Sequence, residues 1–506
     1  MPLPAPRILR LDGRSLTLGD FARVASGSRP PRVTIAASAR RRMSAAEKVV
    51  LDVLRGDRAV YGVNTGFGRL AEVRIRPDQH RQLQRNLILS HSAGVGPLCT
   101  RAEVRGMILL RLNLLAQGHS GVSRRPADRL AFFLNADLCP DVPRHGSVGA
   151  SGDLAPMAHV ALAVIGEGTV RLAGKPMSSR TALRRLRLSP LLLAAREGLA
   201  LINGVQASTA LLALAVADCR RLLESADLTG ALSALAMAAR PESFDPRLAE
   251  VRHHPGQAES ARRIARYLRS SGARLTPSSR VQDPYSVRCA AQVHGVGRDS
   301  LAVAVGVCEC EMNAATDNPL VFAESREILA GGNFHGAPIG HTADHLAAVV
   351  TDLASISERR TALLMDPQFN RATPFLVPPH GEGLHSGMMM WQVTAASLVS
   401  EMKTLAHPAS VDSIPTSMGQ EDHVSMSMWA ADKLRRIVER WLVVLSIEAL
   451  GAWRALTIQD RLPRRGPLGE LAQSIGKLHG TKLADRMLGP TVEEIGRLLM
   501  RDPSEE

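Results

Sequence analysis

Three stretches of this 506-residue chain combine residue types suited to chemistry rather than packing. The densest is Gly146-Ser147-Val148-Gly149-Ala150-Ser151-Gly152-Asp153-Leu154-Ala155-Pro156, a small, polar, glycine-rich run that leads into an apolar segment. Such a run reads as a turn before a helix, whose backbone N–H groups and positive end can face an anion. It lacks the Lys-Ser/Thr of a phosphate-binding loop, and its glycines are not spaced Gly-x-Gly-x-x-Gly. It also lacks Gly-x-Ser-x-Gly, so Ser151 is a poor hydrolase nucleophile. The other two stretches each hold one of only three tyrosines. Tyr61 lies in Tyr61-Gly62-Val63-Asn64-Thr65-Gly66-Phe67-Gly68, and Tyr285 in Gln282-Asp283-Pro284-Tyr285-Ser286-Val287-Arg288. Both contexts are turn-forming and rich in hydrogen-bonding groups. They suit a working phenol, and equally one that only anchors its hydroxyl to backbone.

Helices must carry these loops. Ser44-x-x-Glu47, Thr100-x-x-Glu103 and Thr491-x-x-Glu494 have the capping-box pattern ahead of apolar residues at helical spacing, and Gly118 suits a helix stop. Ala/Leu-rich runs at roughly 206–240, 290–315, 340–365, 388–406 and 424–457 have no strand-like alternation and predict long bundled helices. Strands are few, with candidates at Thr169–Leu172 and Leu320–Phe322. No fixed-period repeat and no low-complexity tract is present. The loops between helices hold the informative polar residues, as is usual on a rigid scaffold.

Composition narrows the class. Hydrophobic residues make up 45% and charged residues 22%, an ordinary globular balance with enough chain for a large core. No uninterrupted apolar run reaches membrane-spanning length, and residues 1–32 hold no secretory apolar segment, so a cytoplasmic enzyme is expected. The six cysteines (99, 139, 219, 289, 308 and 310) are scattered without a Cys-x-x-Cys pair, which predicts free, buried thiols and no metal centre. The net charge is +14, but only six of the cationic residues are lysines. That arginine bias fits GC-rich coding. The short clusters Arg40-Arg41-Arg42 and Arg464-Arg465 lack the interleaved aromatics that stack nucleic-acid bases, so no nucleic-acid partner is expected.

The run around Ala150-Ser151-Gly152 resembles the signature of the aromatic amino-acid ammonia-lyases. The resemblance extends in order through Tyr61–Gly68, Ser90–Gly96, Leu201-Ile202-Asn203-Gly204, Gln282–Arg288, Asp317-Asn318-Pro319, Gly331-Gly332-Asn333-Phe334-His335 and Gln420-Glu421-Asp422-His423-Val424-Ser425-Met426. It implies a self-made electrophile, 4-methylidene-imidazol-5-one. The Gly152 nitrogen closes on the Ala150 carbonyl, and Ser151 loses its hydroxyl. Only glycine lets its backbone approach so closely. The resemblance further implies catalytic roles for Tyr61 (the base that takes the substrate's β-proton), Tyr285 (from another subunit, assisting proton transfer) and Glu421. It implies substrate contacts from His91, Asn203, Gln282, Arg288 (gripping the carboxylate as a bidentate pair), Phe334 and Gln420.

Two positions speak to the substrate. Histidine-specific members resemble this chain in having Ser-His at Ser90-His91 and Glu at Glu421. An imidazole offers one N–H and one lone pair, which a carboxylate and a second imidazole satisfy. A phenyl ring would leave the carboxylate buried without a partner, at a cost of roughly 2 kcal/mol or more. The expected reaction is elimination of ammonia from L-histidine to give trans-urocanate. A phenylalanine or tyrosine ammonia-lyase, or an aminomutase using the same group, is the alternative. The chain departs from the family pattern at Val205, Met418-Gly419 and Met388-Met389-Met390-Trp391, and Met418 lies nearest the carboxylate. The implied architecture is all-α: residues 1–205 form an N-terminal lobe with the base loop and cofactor tripeptide, and residues 206–506 a long-helix bundle at the core of a homotetramer with shared active sites.

Overall fold

The computed structural model describes residues 8–56, 58–66, 68, 72–273, 280–480 and 482–501. Phe67 of the Tyr61 loop lies outside the described residues. Helices dominate. The five long apolar runs fold as Gln206–Ala236, Ala290–Met312, Ala337–Leu364, Met389–Leu405 and Ser427–Ile458, each within a few residues of its expected limits. Among the described residues, strands occur in four small sheets of two or three strands, and both expected strands are present: Thr169–Leu172 and Leu320–Phe322.

By compactness the chain divides into two units. One comprises Met1–Ala217, Val305–Asp344 and Pro408–Asp432; the other comprises Asp218–Ala304, His345–His407 and Lys433–Glu506. The first is built around the helix Arg101–Gln117, which is buried on nearly every side. Thr100 accepts from the Glu103 N–H while the Glu103 carboxylate accepts from the Thr100 N–H at 2.7 Å, a complete capping box. Gly118 ends the helix in the left-handed conformation, at φ +86°. Within that helix Arg111 is fully buried, and its NH1 donates to the carbonyls of Ala200 (3.1 Å) and Asn203 (2.6 Å). Burial pulls its pKa down to about 10, with Asp317 and Asp153 resisting, so it keeps its charge near neutral pH.

The other two predicted capping boxes are not caps. Ser44 sits in the middle of the helix Ala37–Arg55, which begins after Ala36 without a side-chain cap. Thr491 lies inside the first turn of Gly489–Leu499. In both cases Pro, Ala or Gly at the true start lets the helix extend upstream of the Ser/Thr, and the x-x-Glu spacing then merely falls within a helix.

The second unit is a bundle of long helices around Trp441 and a set of fully buried charges that includes Arg360 and Glu448. Ser427–Ile458 is long and apolar enough to cross a membrane by length and composition, but 78% of its apolar window is buried inside the protein. All six cysteines are free; four are buried, Cys289 is half-buried and Cys310 is exposed. Burial pushes the Cys99 thiol up to about 12 and Cys139 to about 11, which leaves them inert.

Removing the Thr100 hydroxyl should cost about 1 kcal/mol locally. In Thr100→Ala, hydrogen exchange of the Glu103 amide is expected to quicken about fivefold, since 1.4 kcal/mol is tenfold. Thr100→Ser is expected to exchange like the wild type.

Candidate active site

The Ser147–Asp153 run is clamped from both sides. On one side Met426 N–H donates to the Val148 carbonyl (2.8 Å) and Ser425 Oγ to the Gly149 carbonyl (3.2 Å). A Cβ on Gly149 would come within 2.2 Å of Ser425 Oγ. On the other side the chain runs against Gly204. Asp153 N–H donates to the Gly204 carbonyl at 2.9 Å, and Gly152 and Gly204 form a parallel bridge. A Cβ on Gly152 would lie 2.4 Å from the Gly204 carbonyl carbon, and Gly152 has φ +78°, so glycine is required twice over. Ser151 itself is left-handed, at φ +50°. Non-glycine residues rarely adopt that conformation, and its cost is met by the surrounding contacts.

Asp153 holds the base of this turn. It is fully buried just before the helix Leu154–Val164 and accepts from Ser208 N–H (2.7 Å), Ser208 Oγ (2.8 Å) and Ser147 Oγ (2.8 Å). Burial raises its pKa, and the Ser208 and Ser147 bonds oppose the rise. The positive end of that helix lies directly after Gly152, as the sequence predicts.

Three of the proposed side chains, Asn203, Ser151 and Glu421, meet at this turn. Asn203 Nδ2 donates to the Ser151 carbonyl at 3.0 Å, while its Oδ1 is buried with no partner. Ser151 Oγ donates to Glu421 Oε1 at 2.7 Å. Glu421 Oε2 accepts from Thr416 Oγ1 at 2.5 Å, and the two residues also exchange backbone hydrogen bonds that close a tight loop. At the tip of that loop Ser417, Met418 and Gly419 are all left-handed, with φ of +51°, +56° and +79°, and Met418 is 88% exposed. Burial tends to raise the Glu421 pKa, but bonds from Thr416, Ser151 and Ser417, with His91 nearby, outweigh it and hold it below the usual carboxylate range.

His91 ends the helix His80–His91. Burial lowers its pKa, against the pull of the Leu87 carbonyl and Glu421, so it is neutral near pH 7. Its Nδ1 lies 2.9 Å from the Leu87 carbonyl, which can only accept. The proton is therefore on Nδ1, and Nε2 carries the lone pair.

Tyr61 sits on a loop tied down by Asn64. Val60 N–H donates to Asn64 Oδ1 (2.8 Å) and Asn64 Nδ2 donates to the Arg58 carbonyl (2.9 Å). Val60 and Val63 bury into an apolar cluster with Val49, Val50 and Val321. Gly62, at φ +69°, packs so closely on Leu199 and Pro319 that a Cβ would meet them at 2.8 and 3.0 Å. The loop thus rests against the short helix Glu197–Ile202, which ends at Asn203. Phe334 is half-buried, two residues before Gly336, whose N–H reaches the Gly149 carbonyl at 3.5 Å. Gln420 is exposed next to Glu421.

Gln282, Tyr285 and Arg288 belong to the second unit. Tyr285 is 71% exposed and Gln282 is exposed. The Arg288 guanidinium stacks over the Tyr285 ring at 4.5 Å, and its Nε is buried without a partner. Sequence reasoning missed Thr416, Ser208 and Arg111. A threonine five residues before a glutamate carries no recognisable signal, and an arginine inside a helix reads as solvent-facing.

The aromatic amino acid lyase family model matches residues 16–477. The chain belongs to that family. Family membership accounts for the long-helix fold and makes the chain a carbon–nitrogen lyase. The histidine ammonia-lyase of Symbiobacterium thermophilum is 44% identical over 494 residues, covering 96% of each chain. Among solved structures, the histidine ammonia-lyase of Trypanosoma cruzi is 38% identical with a TM-score of 0.89, covering 97% of this chain and 93% of its own. The tyrosine aminomutase of Streptomyces globisporus is 32% identical with a TM-score of 0.91, over 98% and 97%.

The Thr416 bond sets a pH limit. Glu421 is ionised down to below the usual carboxylate range, and the Thr416 hydroxyl lowers its pKa while burial raises it. Thr416→Val removes a lowering contact and leaves the burial, so the pKa rises and the charge is lost at higher pH. The acid limb of kcat/KM is expected to move to higher pH in this variant; an unmoved limb would show that the carboxylate charge does not govern turnover.

Proposed function

We propose that this lyase eliminates ammonia from L-histidine to give trans-urocanate, using a 4-methylidene-imidazol-5-one made from Ala150-Ser151-Gly152. The observation that carries the substrate reading is the placement of Glu421. It is held ionised, and Oε1 is bound to the one hydroxyl that ring formation would remove. Once Ser151 has lost its oxygen, Oε1 is left without that donor and can accept the imidazole N–H of histidine. His91 lies near enough to the same carboxylate for the two to interact electrostatically. The relatives named above include two histidine ammonia-lyases. A phenylalanine or tyrosine ring, the alternative for a lyase or aminomutase, would offer this carboxylate no donor.

The residues present fit the self-made group. Gly152 packs on Gly204 too closely for any side chain, which leaves its backbone bare for ring closure, and Asn203 holds the Ser151 carbonyl. When formed, the group supplies an electron-poor carbon that makes the substrate amine a better leaving group. The chain's own side chains do the rest. Tyr61, on its anchored loop, takes the β-proton. The unpartnered Asn203 Oδ1 accepts from the substrate's amino group. The Arg288 guanidinium, whose Nε lacks a partner, grips the carboxylate. Tyr285 and Gln282 line the amino-acid end, Phe334 packs beside the ring, and Gln420 contacts the substrate next to Glu421.

A homotetramer with shared sites is part of the same proposal. Tyr285 is exposed in the single chain. Val296 and Val303, seven residues apart on one helix, and Met390 and Val393 on another, present exposed apolar stripes of the kind that other subunits cover. A cytoplasmic location fits the six free thiols.

Kinetics with histidine, phenylalanine and tyrosine test the reading. The wild type is expected to prefer histidine. Glu421→Gln should lose a charge-assisted bond worth about 1.5–3 kcal/mol, or roughly 10–150-fold in kcat/KM for histidine, without a comparable loss for the others. Wild-type preference for phenylalanine or tyrosine, or unchanged histidine turnover in Glu421→Gln, would refute it.

A further inference from the structure

The turn Tyr285–Arg288 is only four residues long, yet it carries two proposed site residues. It is pinned at three points. Just before it, the buried Asp283 accepts from Arg240 N–H (2.6 Å) and from Arg280 (3.1 Å). Val287 buries its side chain, at 2% exposure. Between Tyr285 and Arg288, the Ser286 carbonyl accepts from Arg360 NH1 at 3.3 Å.

Arg360 is itself unusually well fixed. It is 1% exposed, on the helix Ala337–Leu364. Its Nε and NH2 donate to the two carboxylate oxygens of Glu448 at 2.5 and 2.9 Å, a bidentate pair that sets the guanidinium plane. The same oxygens accept from Ser233 Oγ (2.7 Å) and Ser357 Oγ (2.5 Å), so Glu448 is satisfied on both sides. NH1 is left to point away from the pair. It reaches the Ser286 carbonyl and, at 3.5 Å, His294 Nε2. An arginine only donates, so Nε2 accepts and the His294 proton is on Nδ1, which donates to Asp227 at 2.8 Å. Asp227 also pairs with Arg298.

A buried ion pair is weak evidence for stability, because apolar residues of similar volume often serve as well. What apolar residues cannot supply is a directed donor. We infer that Arg360 is a positioning residue for the substrate carboxylate. Clamped by Glu448, it fixes the Ser286 carbonyl and thereby the direction in which Arg288 presents its guanidinium. The inference rests on the reading of Arg288 as the carboxylate grip.

The test separates ligands with and without a carboxylate. In Arg360→Lys the charge remains, but an ammonium cannot span both Glu448 oxygens and the Ser286 carbonyl. KM for L-histidine and the inhibition constant of trans-urocanate are expected to rise about tenfold, as for one lost charged contact. The inhibition constant of histamine, which lacks the carboxylate, is expected to stay within about twofold. Arg288→Ala should show the same split more strongly. If Arg360→Lys does not fold, the packed pair Arg360→Met/Glu448→Leu is read in the same way. Equal changes for histamine and urocanate, or no change for either, in the variant that folds would overturn the role of Arg360. If Arg288→Ala itself fails to separate the two ligands, the reading of Arg288 fails instead.

Discussion

Two glycines, Gly152 and Gly204, touch backbone to backbone. A methyl group on Gly152 would overlap the Gly204 carbonyl group at 2.4 Å, and Asp153 N–H donates to the Gly204 carbonyl beside the contact. The rest of the site hangs on this contact. It leaves no room for a side chain on Gly152, the residue whose nitrogen would meet the Ala150 carbonyl in the proposed ring closure. It also brings Asn203, one residue before Gly204, onto the Ser151 carbonyl. Two fully buried charges hold it shut. Asp153 ties the turn to Ser208 and Ser147, and Arg111 holds the carbonyl of Asn203. Asp153 accepts three hydrogen bonds, which is what makes its burial tolerable, whereas Arg111 bonds through NH1 alone and leaves Nε and NH2 buried without a hydrogen-bond partner.

A second consequence follows from where Glu421 sits. Its carboxylate has one oxygen on Thr416 and the other on Ser151. The contact to Ser151 belongs to the unmodified chain. Maturation would therefore open one acceptor site on an ionised, half-buried carboxylate at the moment the electrophile forms. The substrate pocket and the cofactor would be completed by the same event. A neutral His91 with its lone pair on Nε2 is a second acceptor near that carboxylate, so it is the N–H side of an imidazole that this end of the site meets.

Much of the frame was legible in the sequence because long apolar helices and short strands announce themselves by period and composition. The five long helices and the strands Thr169–Leu172 and Leu320–Phe322 lie where patterning put them. Capping boxes were less reliable. Thr100 begins its helix, but Ser44 and Thr491 have the same spacing inside helices that start earlier, and spacing alone cannot say where a helix begins. At the site, the motif residues were visible as motifs, but their partnerships were not. Ser151 and Glu421 are 270 residues apart, and only the fold brings them to 2.7 Å. Arg111 and Arg360 look like ordinary helix arginines. They are buried because main-chain carbonyls from distant turns converge on them, and no local pattern reports that convergence.

The proposed ring closure depends most on the Gly152–Gly204 contact. Intact mass, with peptide mapping over residues 146–157, tests it most directly. The wild-type polypeptide is expected to be lighter than its coded mass by two waters, both lost within that peptide. Gly204→Ala, in which the added methyl would meet the Thr316 carbonyl at 2.9 Å, is expected to keep the full coded mass. An active wild type at full coded mass, or a Gly204→Ala chain that matures completely, would contradict the account.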